Sequence, residues 1–496
     1  MKRKGTKFGA LAVAASLVTS LYGSQAFAAD NTAKNTAVDV VMKSDIALAQ
    51  EKGAIVGYPN DTSLHADKLV TRAELVTMID RAANLQDVKV KQAYFSDLVG
   101  WEAQAVNNAA AIGLIKGDGH GHFQPNRNVT REELAVIVVG ALTGGEAPVA
   151  NEKVLNYFQD ADKISDWARP YVAYAAIAGL FGPTASGEFN PQAPVTRSEA
   201  ATALKPVLFD VIDVLSTNDI HGNIEVGFDK RVNKDEGGME TIGGIVNDFR
   251  QVNSDGVIVV DGGDEWQGTL ISNTVNGESV IKTMDEIQYD AGAIGNHEFD
   301  FGRDVLIDNI EKATFPIMGA NIIDDATGER VEWAKPYTIV ERDGLKIGII
   351  GFATPETATT TKYDNIKGLT FADPVPLAKE LSAELREQGC DIVIVTSHLP
   401  GEQEAETDKI MGALTELANG TGNGTLDAII GGHSHMRVAG IVNGIPVVEA
   451  SQWTWALGHI QLFVDKDTQK VVSSNAELLD TYTDLTSANT EVRDIV

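Results

Sequence analysis

Two patterns of apolar and polar positions divide this chain near residue 208. Beyond it, short and nearly unbroken apolar runs at 211–215, 257–260, 392–395 and 428–430 read as strands buried in a layered domain. They alternate with stretches of helical spacing at 243–251, 280–286, 376–388 and 407–417. The alternation predicts an α/β layered domain built on a central sheet or a pair of sheets. Before residue 208 the chain is organised by helix starts instead. The first strand is already legible from Phe209, which leaves almost no linker and implies a limited range of orientations between the two parts.

The helix starts repeat. Val70-Thr71-Arg72-Ala73-Glu74, Val129-Thr130-Arg131-Glu132-Glu133 and Val195-Thr196-Arg197-Ser198-Glu199 each place a Thr that can cap the next helix and a Glu three residues later that can reach back to it. The surroundings recur as well. Phe95-Ser96-Asp97 with Trp101 is echoed by Phe158-Gln159-Asp160 with Trp167, and Phe123-Gln124-Pro125-Asn126 by Phe189-Asn190-Pro191. A period of roughly sixty residues favours one structural unit used three times over three unrelated capped helices.

The first residues change the picture of where the protein works. Lys2, Arg3, Lys4 and Lys7 precede an apolar stretch from Phe8 to Leu21, and Ala26-Phe27-Ala28 offers small residues for cleavage, so residues 1–28 read as a secretory signal. No later run has the length of a transmembrane helix. Cys390 is the single cysteine, which rules out an intrachain disulfide and reads as a small core residue. A formal charge of −30 argues against a nucleic acid polymer as partner while leaving room for a small phosphorylated substrate.

The repeats resemble S-layer homology domains, the second along most of its length. The resemblance implies an all-α trimodule over 29–85, 90–145 and 153–208 that binds secondary cell-wall polysaccharide and attaches the secreted protein to the wall or S-layer of a bacterium. It further implies that Arg72, Arg131 and Arg197 meet the anionic glycan, a role that suits the planar guanidinium fork. Ion pairing on their own helices is the alternative. In the first repeat Gly57-Tyr58-Pro59-Asn60-Asp61 replaces the longer glycine loop, which points to a weak groove there. His65, His120 and His122 read as exposed loop histidines, since no set of further ligands accompanies them.

Seven residues at the ends of strand-like runs carry the chemistry: Asp219 and His221, Asp264, Asn296, His398, and His433 with His435. Ligands that emerge where buried strands end converge in space although the sequence scatters them. A spacing of two in Asp219-Ile220-His221 and in His433-Ser434-His435 puts both residues on one side of an extended segment. Oxygen and imidazole donors suit Zn, Mn or Fe, and the set is large enough for two divalent ions. Each residue has a plainer reading: Asp219 and Asp264 can cap turns, and His459, inside a strand pattern, reads as structural. Trp266, Phe299, Trp453 and Trp455 are candidates for a substrate cleft, with core packing an equal reading for the last two.

These motifs resemble the calcineurin-like metallophosphoesterases, in the branch of 5'-nucleotidases, UDP-sugar hydrolases and 2',3'-cyclic phosphodiesterases. The resemblance implies a four-layer α-β-β-α catalytic domain over 209–490. Asp219, His221 and His435 would hold one metal, Asn296, His398 and His433 the other, with Asp264 between them. It also implies attack of a metal-bridging hydroxide on phosphorus, and a His297–Asp300 pair that stabilises the transition state and protonates the leaving oxygen. The expected function is a wall-anchored 5'-nucleotidase-like hydrolase. The alternatives are a cyclic phosphodiesterase, a nucleotide-sugar diphosphatase, or a structural surface-layer protein with an idle scaffold. Nothing up to Val496 matches the further domain by which two-domain members hold a nucleobase.

Overall fold

Thr71, Thr130 and Thr196 each accept a hydrogen bond from the backbone of Glu74, Glu133 and Glu199, and those glutamates accept one back from the threonine N–H. These reciprocal caps fix the starts of helices Arg72–Ala82, Arg131–Leu142 and Arg197–Ala203 in a computed structural model that describes residues 44–58, 61 and 63–496. The secretory segment expected at 1–28 lies outside the described residues, as do Pro59 and Asn60 of the first repeat. Among the described residues no helix is long and apolar enough to cross a membrane.

The three capped starts close on one another. Val70 N–H donates to the Val195 carbonyl at 2.9 Å, Val129 N–H to Val70 at 3.0 Å, and Val195 N–H to Val129 at 3.1 Å. All three valines are fully buried, so this triangle is a shared core that no single repeat can build alone. Beside each valine, an arginine reaches into the next repeat. Arg72 donates to the Phe123 and Lys116 carbonyls and to Glu133. Arg131 does the same to Phe189, Gly182 and Glu199. Arg197 closes the circle on the Leu64 and Val56 carbonyls and the Tyr58 hydroxyl. All three are buried and clamp one repeat to the next, and where they form ion pairs, Arg72 with Glu133 and Arg131 with Glu199, the partner lies on the next repeat's helix and not on their own. The repeated Asp of Phe-x-Asp is structural too, since Asp97 accepts the Phe123 and Gln124 amides and Asp160 those of Phe189 and Asn190.

Helix Lys205–Leu208 runs straight into strand Asp210–Thr217. That strand sits third in a six-stranded sheet ordered Val471–Asp480, Ala456–Val464, Asp210–Thr217, Val257–Asp261, Ala291–Ala293, Ile317–Met318. A second six-stranded sheet is ordered Arg437–Val442, Ile445–Ala450, Ala428–Ile430, Ile392–Ser397, Leu345–Phe352, Tyr337–Arg342. One core, with Val214, Ile258, Ile349 and Ile394, lies between the sheets. A second packs helices Met239–Val252 and Glu278–Ile287 on the outside of the first sheet, and a third packs Pro374–Glu387 and Ala413–Thr421 on the outside of the second. The result is the expected α-β-β-α order of layers. The central strands of each sheet are parallel, and Val257–Asp261 and Ile392–Ser397 are buried at every residue, which is why they read as unbroken apolar runs.

The helical part is seated on the first sheet. Gln461 donates to the Ala178 carbonyl at 3.1 Å, Tyr174 donates its hydroxyl proton to Val252, and Lys205 lies 4.1 Å from the Phe463 ring centre. Close by, the buried His459 imidazole joins Asp213 and Glu477, each at 2.9 Å. Burial opposes its protonation, but these two carboxylates overcome the penalty and raise its pKa to about 9 from the ordinary 6.5. His459 is the structural residue the sequence pointed to. A raised folded-state pKa adds stability that is complete below pH 6.5 and lost as pH rises through about 9. His459→Gln is expected to lower stability by about 3–5 kcal/mol at pH 6. Denaturant melts from pH 6 to 10 should show the gap to wild type narrowing through that window, and a pH-independent gap would contradict this account.

Candidate metal centre

Strand Asp210–Thr217 stops two residues short of Asp219, and the backbone then turns left-handed, with φ of 51° at Asp219 and 48° at His221. Asp264, His433 and His435 take the same conformation at 60°, 79° and 59°. The extended Asp219–His221 and His433–His435 segments expected from the spacing of two are therefore turns. Their amides explain why: those of Asp219, His221 and Gly222 donate to the carbonyls of Gly263, Asp264 and Glu265, which laces two strand-end loops together. Non-glycine residues in this region cost of order 1–3 kcal/mol each and cluster where a site demands a particular aim.

The turns bring two groups of ligand atoms together, Asp219 with His221 and His435, and Asp264 with His398 and His433. Within each, the atoms lie within 4.8 Å of one another. Asp264 Oδ2 stands 2.9 Å from His398 Nε2 and 3.9 Å from His221 Nε2, so it faces both groups. His435 Nε2 is 3.2 Å from Asp219 Oδ1 and 3.1 Å from His221 Nε2. Asn296 is buried in the loop beside Asp264, whose Oδ1 accepts the next amide, that of His297, at 2.8 Å. Glycines make the approach possible: a Cβ on Gly295 would fall 2.2 Å from Asp264 Oδ1, and one on Gly432 3.0 Å from His398 Nδ1.

The donor set fits divalent ions. His398 Nδ1 donates to the Gly262 carbonyl and His221 Nδ1 to Gln267, both at 2.8 Å, so both Nε2 lone pairs are left facing the site. Asp219 Oδ2 accepts from Asn218 and the His433 amide, while its Oδ1, buried, has no hydrogen-bond partner. Asn296 Oδ1 likewise has none, and His398 Nε2 makes no hydrogen bond although it stands 2.9 Å from Asp264 Oδ2. Buried polar atoms without hydrogen bonds are costly, and Asp219 Oδ1 and His398 Nε2, one in each ligand group, stand where a cation would satisfy them. No lysine or arginine pairs with Asp219 or Asp264 among the described residues.

His297 lies at the rim, about one-third exposed, its ring centre 5.2 Å from that of His221. Its Nδ1 and Asp300 Oδ2 are 2.6 Å apart, and this hydrogen bond raises its pKa to about 9. The pair leaves Nε2 for whatever occupies the opening. His433 Nε2 meets the exposed Glu356 carboxylate at 3.1 Å, a contact that ligation would displace.

With this geometry in place, the relatives can be compared. A family model described as S-layer homology domain matches residues 94–135 and 157–201, and one described as bacterial capsule synthesis protein PGA_cap matches 243–447. The endonuclease YhcR of Bacillus subtilis is 28% identical over 288 residues, which cover 54% of this chain and 23% of the relative. A 5'-nucleotidase of Vibrio cholerae is 31% identical over 309 residues, 57% of this chain and 53% of the relative. The crystal structure of the calcineurin-like phosphoesterase YfkN from Bacillus subtilis superposes with a TM-score of 0.50 at 28% identity, covering 57% of this chain and 95% of that one. The chain joins S-layer homology modules to a calcineurin-like phosphoesterase region. It spans about half the length of the nucleotidase and less of the endonuclease. The S-layer homology model matches two segments, and the helix start of Val70 to Arg72, outside both, joins the same valine triangle and arginine clamps.

In the phosphoesterase region the structure brings six of the seven expected ligands into the two groups, with Asn296 buried in the loop beside Asp264, but not all the expected aromatics to a cleft. Trp266 and Phe299 are fully buried core residues, a correction to their reading as cleft-lining groups. Trp453 and Trp455 are half-buried and packed edge to face at 4.7 Å, and Trp453 donates its amide to the Asp219 carbonyl. The sequence reading missed the supports. The buried Glu298 carboxylate accepts the amides of Asp264, Glu265 and Gly295, and its place within GNHEFD was its only signal. Glu449, on strand Ile445–Ala450, accepts the Gly401 and Ser434 amides and the Ser434 hydroxyl, which sets the turn carrying His433 and His435. Nothing around Glu449 in sequence announces this. Glu449→Ala is expected to cost about 1–3 kcal/mol for each donor left without a partner. Denaturant unfolding measures it, and unchanged stability would refute the role.

Proposed function

We propose that this chain is a wall-anchored phosphoesterase that hydrolyses nucleotide phosphate esters with two divalent ions held by the seven residues gathered at the strand ends. The observation that carries this reading is the pair of facing ligand groups, with Asp264 Oδ2 directed at both and with Asp219 Oδ1, Asn296 Oδ1 and His398 Nε2 buried without a hydrogen bond. When bound, the two ions would supply a nucleophilic water at neutral pH and draw charge from the phosphoryl oxygens. Asp219, His221 and His435 would hold the first, and Asn296, His398 and His433 the second. The Gly262 and Gln267 carbonyls orient His398 and His221 as neutral ligands through Nδ1.

The proton needed by the leaving oxygen comes from His297. Asp300 holds its Nδ1–H, favours the imidazolium, and turns Nε2–H toward the rim. Similarity to a 5'-nucleotidase supports a nucleoside monophosphate as substrate, and similarity to an endonuclease makes a phosphodiester the reading to test against it. The S-layer homology modules support attachment to cell-wall polysaccharide outside the cell.

Two outcomes test the catalytic reading. A substrate panel of 5'-monophosphates, cyclic phosphates, diphosphate sugars and a generic phosphodiester, assayed with Mn, Zn or Fe, is expected to show fastest turnover of a monophosphate. Faster cleavage of the diester would replace that substrate and keep the chemistry. His297→Ala is expected to lower kcat on the order of 10²–10⁴-fold with the metal content unchanged. An unaltered kcat would remove His297 from the mechanism.

A further inference from the structure

We propose that, of the three clefts that the described residues form between neighbouring repeats, a single one is open to an anionic saccharide: the cleft of Arg72, Lys116, Arg127 and Trp167. The phosphoesterase region is seated against the second, and Tyr58 takes up the cations of the third. The proposal rests on the reading that the repeats bind a wall glycan.

The three clefts are equivalent by their hydrogen bonds. The clamp arginines Arg72, Arg131 and Arg197 donate to the carbonyls of Lys116, Gly182 and Val56, and their own amides donate to the carbonyls of Arg127, Ala193 and Lys68. These two sets of positions therefore correspond. So do Gly113, Gly179 and Gly53, each three residues before the first set. Their chemistry differs.

The second cleft is closed by the other half of the molecule. A Cβ added at Gly53 or Gly113 would meet open space, whereas at Gly179 it would meet Gln461 Oε1 at 3.3 Å. The cavity along Gly179–Pro183 holds about 300 Å³ and has Ile245, Phe249, Gln461 and Leu479 of the phosphoesterase region in its wall. Its cation beyond the clamp, Lys205, is buried against Phe463 and paired with Asp45. Ala193 and Gly182 stand where the first cleft has Arg127 and Lys116.

The third cleft keeps a second cation, Lys68, but both charges are engaged. Lys68 Nζ donates to the Tyr58 hydroxyl at 2.7 Å and lies 3.9 Å from its ring centre, and Arg197 donates to the same hydroxyl. Tyr58 in turn donates to Glu74. In the first cleft the matching position is Asp118, turned to the amides of His120 and His122.

The first cleft has about 570 Å³, and no residue of the phosphoesterase region lines it. Lys116 is exposed and has no ion pair among the described residues. Arg127 is 42% exposed and shares Glu133 with Arg72. Three cations thus face the two carboxylates of Glu133 and Asp118, an excess that favours an anionic ligand. Trp167, 54% exposed, stands on the rim with Tyr171 and offers the flat apolar face against which a sugar ring packs.

Sedimentation of the full chain with purified bacterial walls, intact or stripped of their secondary polysaccharide by acid, tests this. Lys116→Ala/Arg127→Ala is expected to weaken binding to intact walls by about tenfold or more. Trp167→Ala should weaken it as well, and Lys68→Ala, in the third cleft, should bind as wild type. Retained phosphoesterase activity and an unchanged melting temperature show that each variant is folded. Wild-type binding by the double variant, or an equal loss in Lys68→Ala, would overturn the single-cleft proposal while leaving wall attachment standing. Equal binding of the wild type to intact and stripped walls would instead overturn the glycan reading, and the proposal with it.

Discussion

Asp264 carries its charge where burial opposes it and where its hydrogen-bonded neighbour Glu298 is also a carboxylate. His398 offsets this most, ahead of His297 and His221, and it lowers the Asp264 pKa only by being protonated itself. A protonated His398 gives up the lone pair that the Gly262 carbonyl directs into the site. The arrangement satisfies both groups when a cation stands between them, and the rest of the phosphoesterase region serves that requirement. Parallel strands end together, their loops turn left-handed, and glycines at 295 and 432 let ligand side chains approach without a clash.

Much of the layered fold and of the convergence of these side chains was legible, because buried strands and strand-end imidazoles and carboxylates leave strong residue-type signals. Val257–Asp261 and Ile392–Ser397 are apolar at nearly every position since layers cover both faces, and imidazoles at strand ends have few other uses. Conformation was less legible. The spacing in Asp219-Ile220-His221 fits an extended segment as well as a turn, and only the amide bonds to Gly263 and Asp264 decide between them. Long-range supports were hidden for the same reason: Glu449 is fifteen residues from Ser434 in sequence and acquires its role from the fold. Trp266 and Phe299 look like cleft residues because they flank ligands, yet their side chains turn into the core.

The arginines of the helical part hold the opposite lesson. Their repetition pointed to a shared role, and the role the structure gives them is the closure of a threefold ring through backbone carbonyls of the next repeat. Three units related in this way are equal only until something binds one of them. The phosphoesterase region does so, with Gln461 on Ala178, Val252 on Tyr174 and Phe463 on Lys205, which makes the repeats and the phosphoesterase region parts of one packed structure and removes the symmetry of the ring.

The central claim is that the seven strand-end residues form a centre for two divalent ions. The direct measurement is metal analysis of the full chain after purification without chelator and after dialysis against Mn, Zn or Fe. The account predicts close to two ions per chain in the wild type and a large loss in Asp264→Asn, since the Asp264 carboxylate faces both ligand groups. A wild-type protein that retains no divalent metal from any of these solutions, with its fold intact, would contradict it.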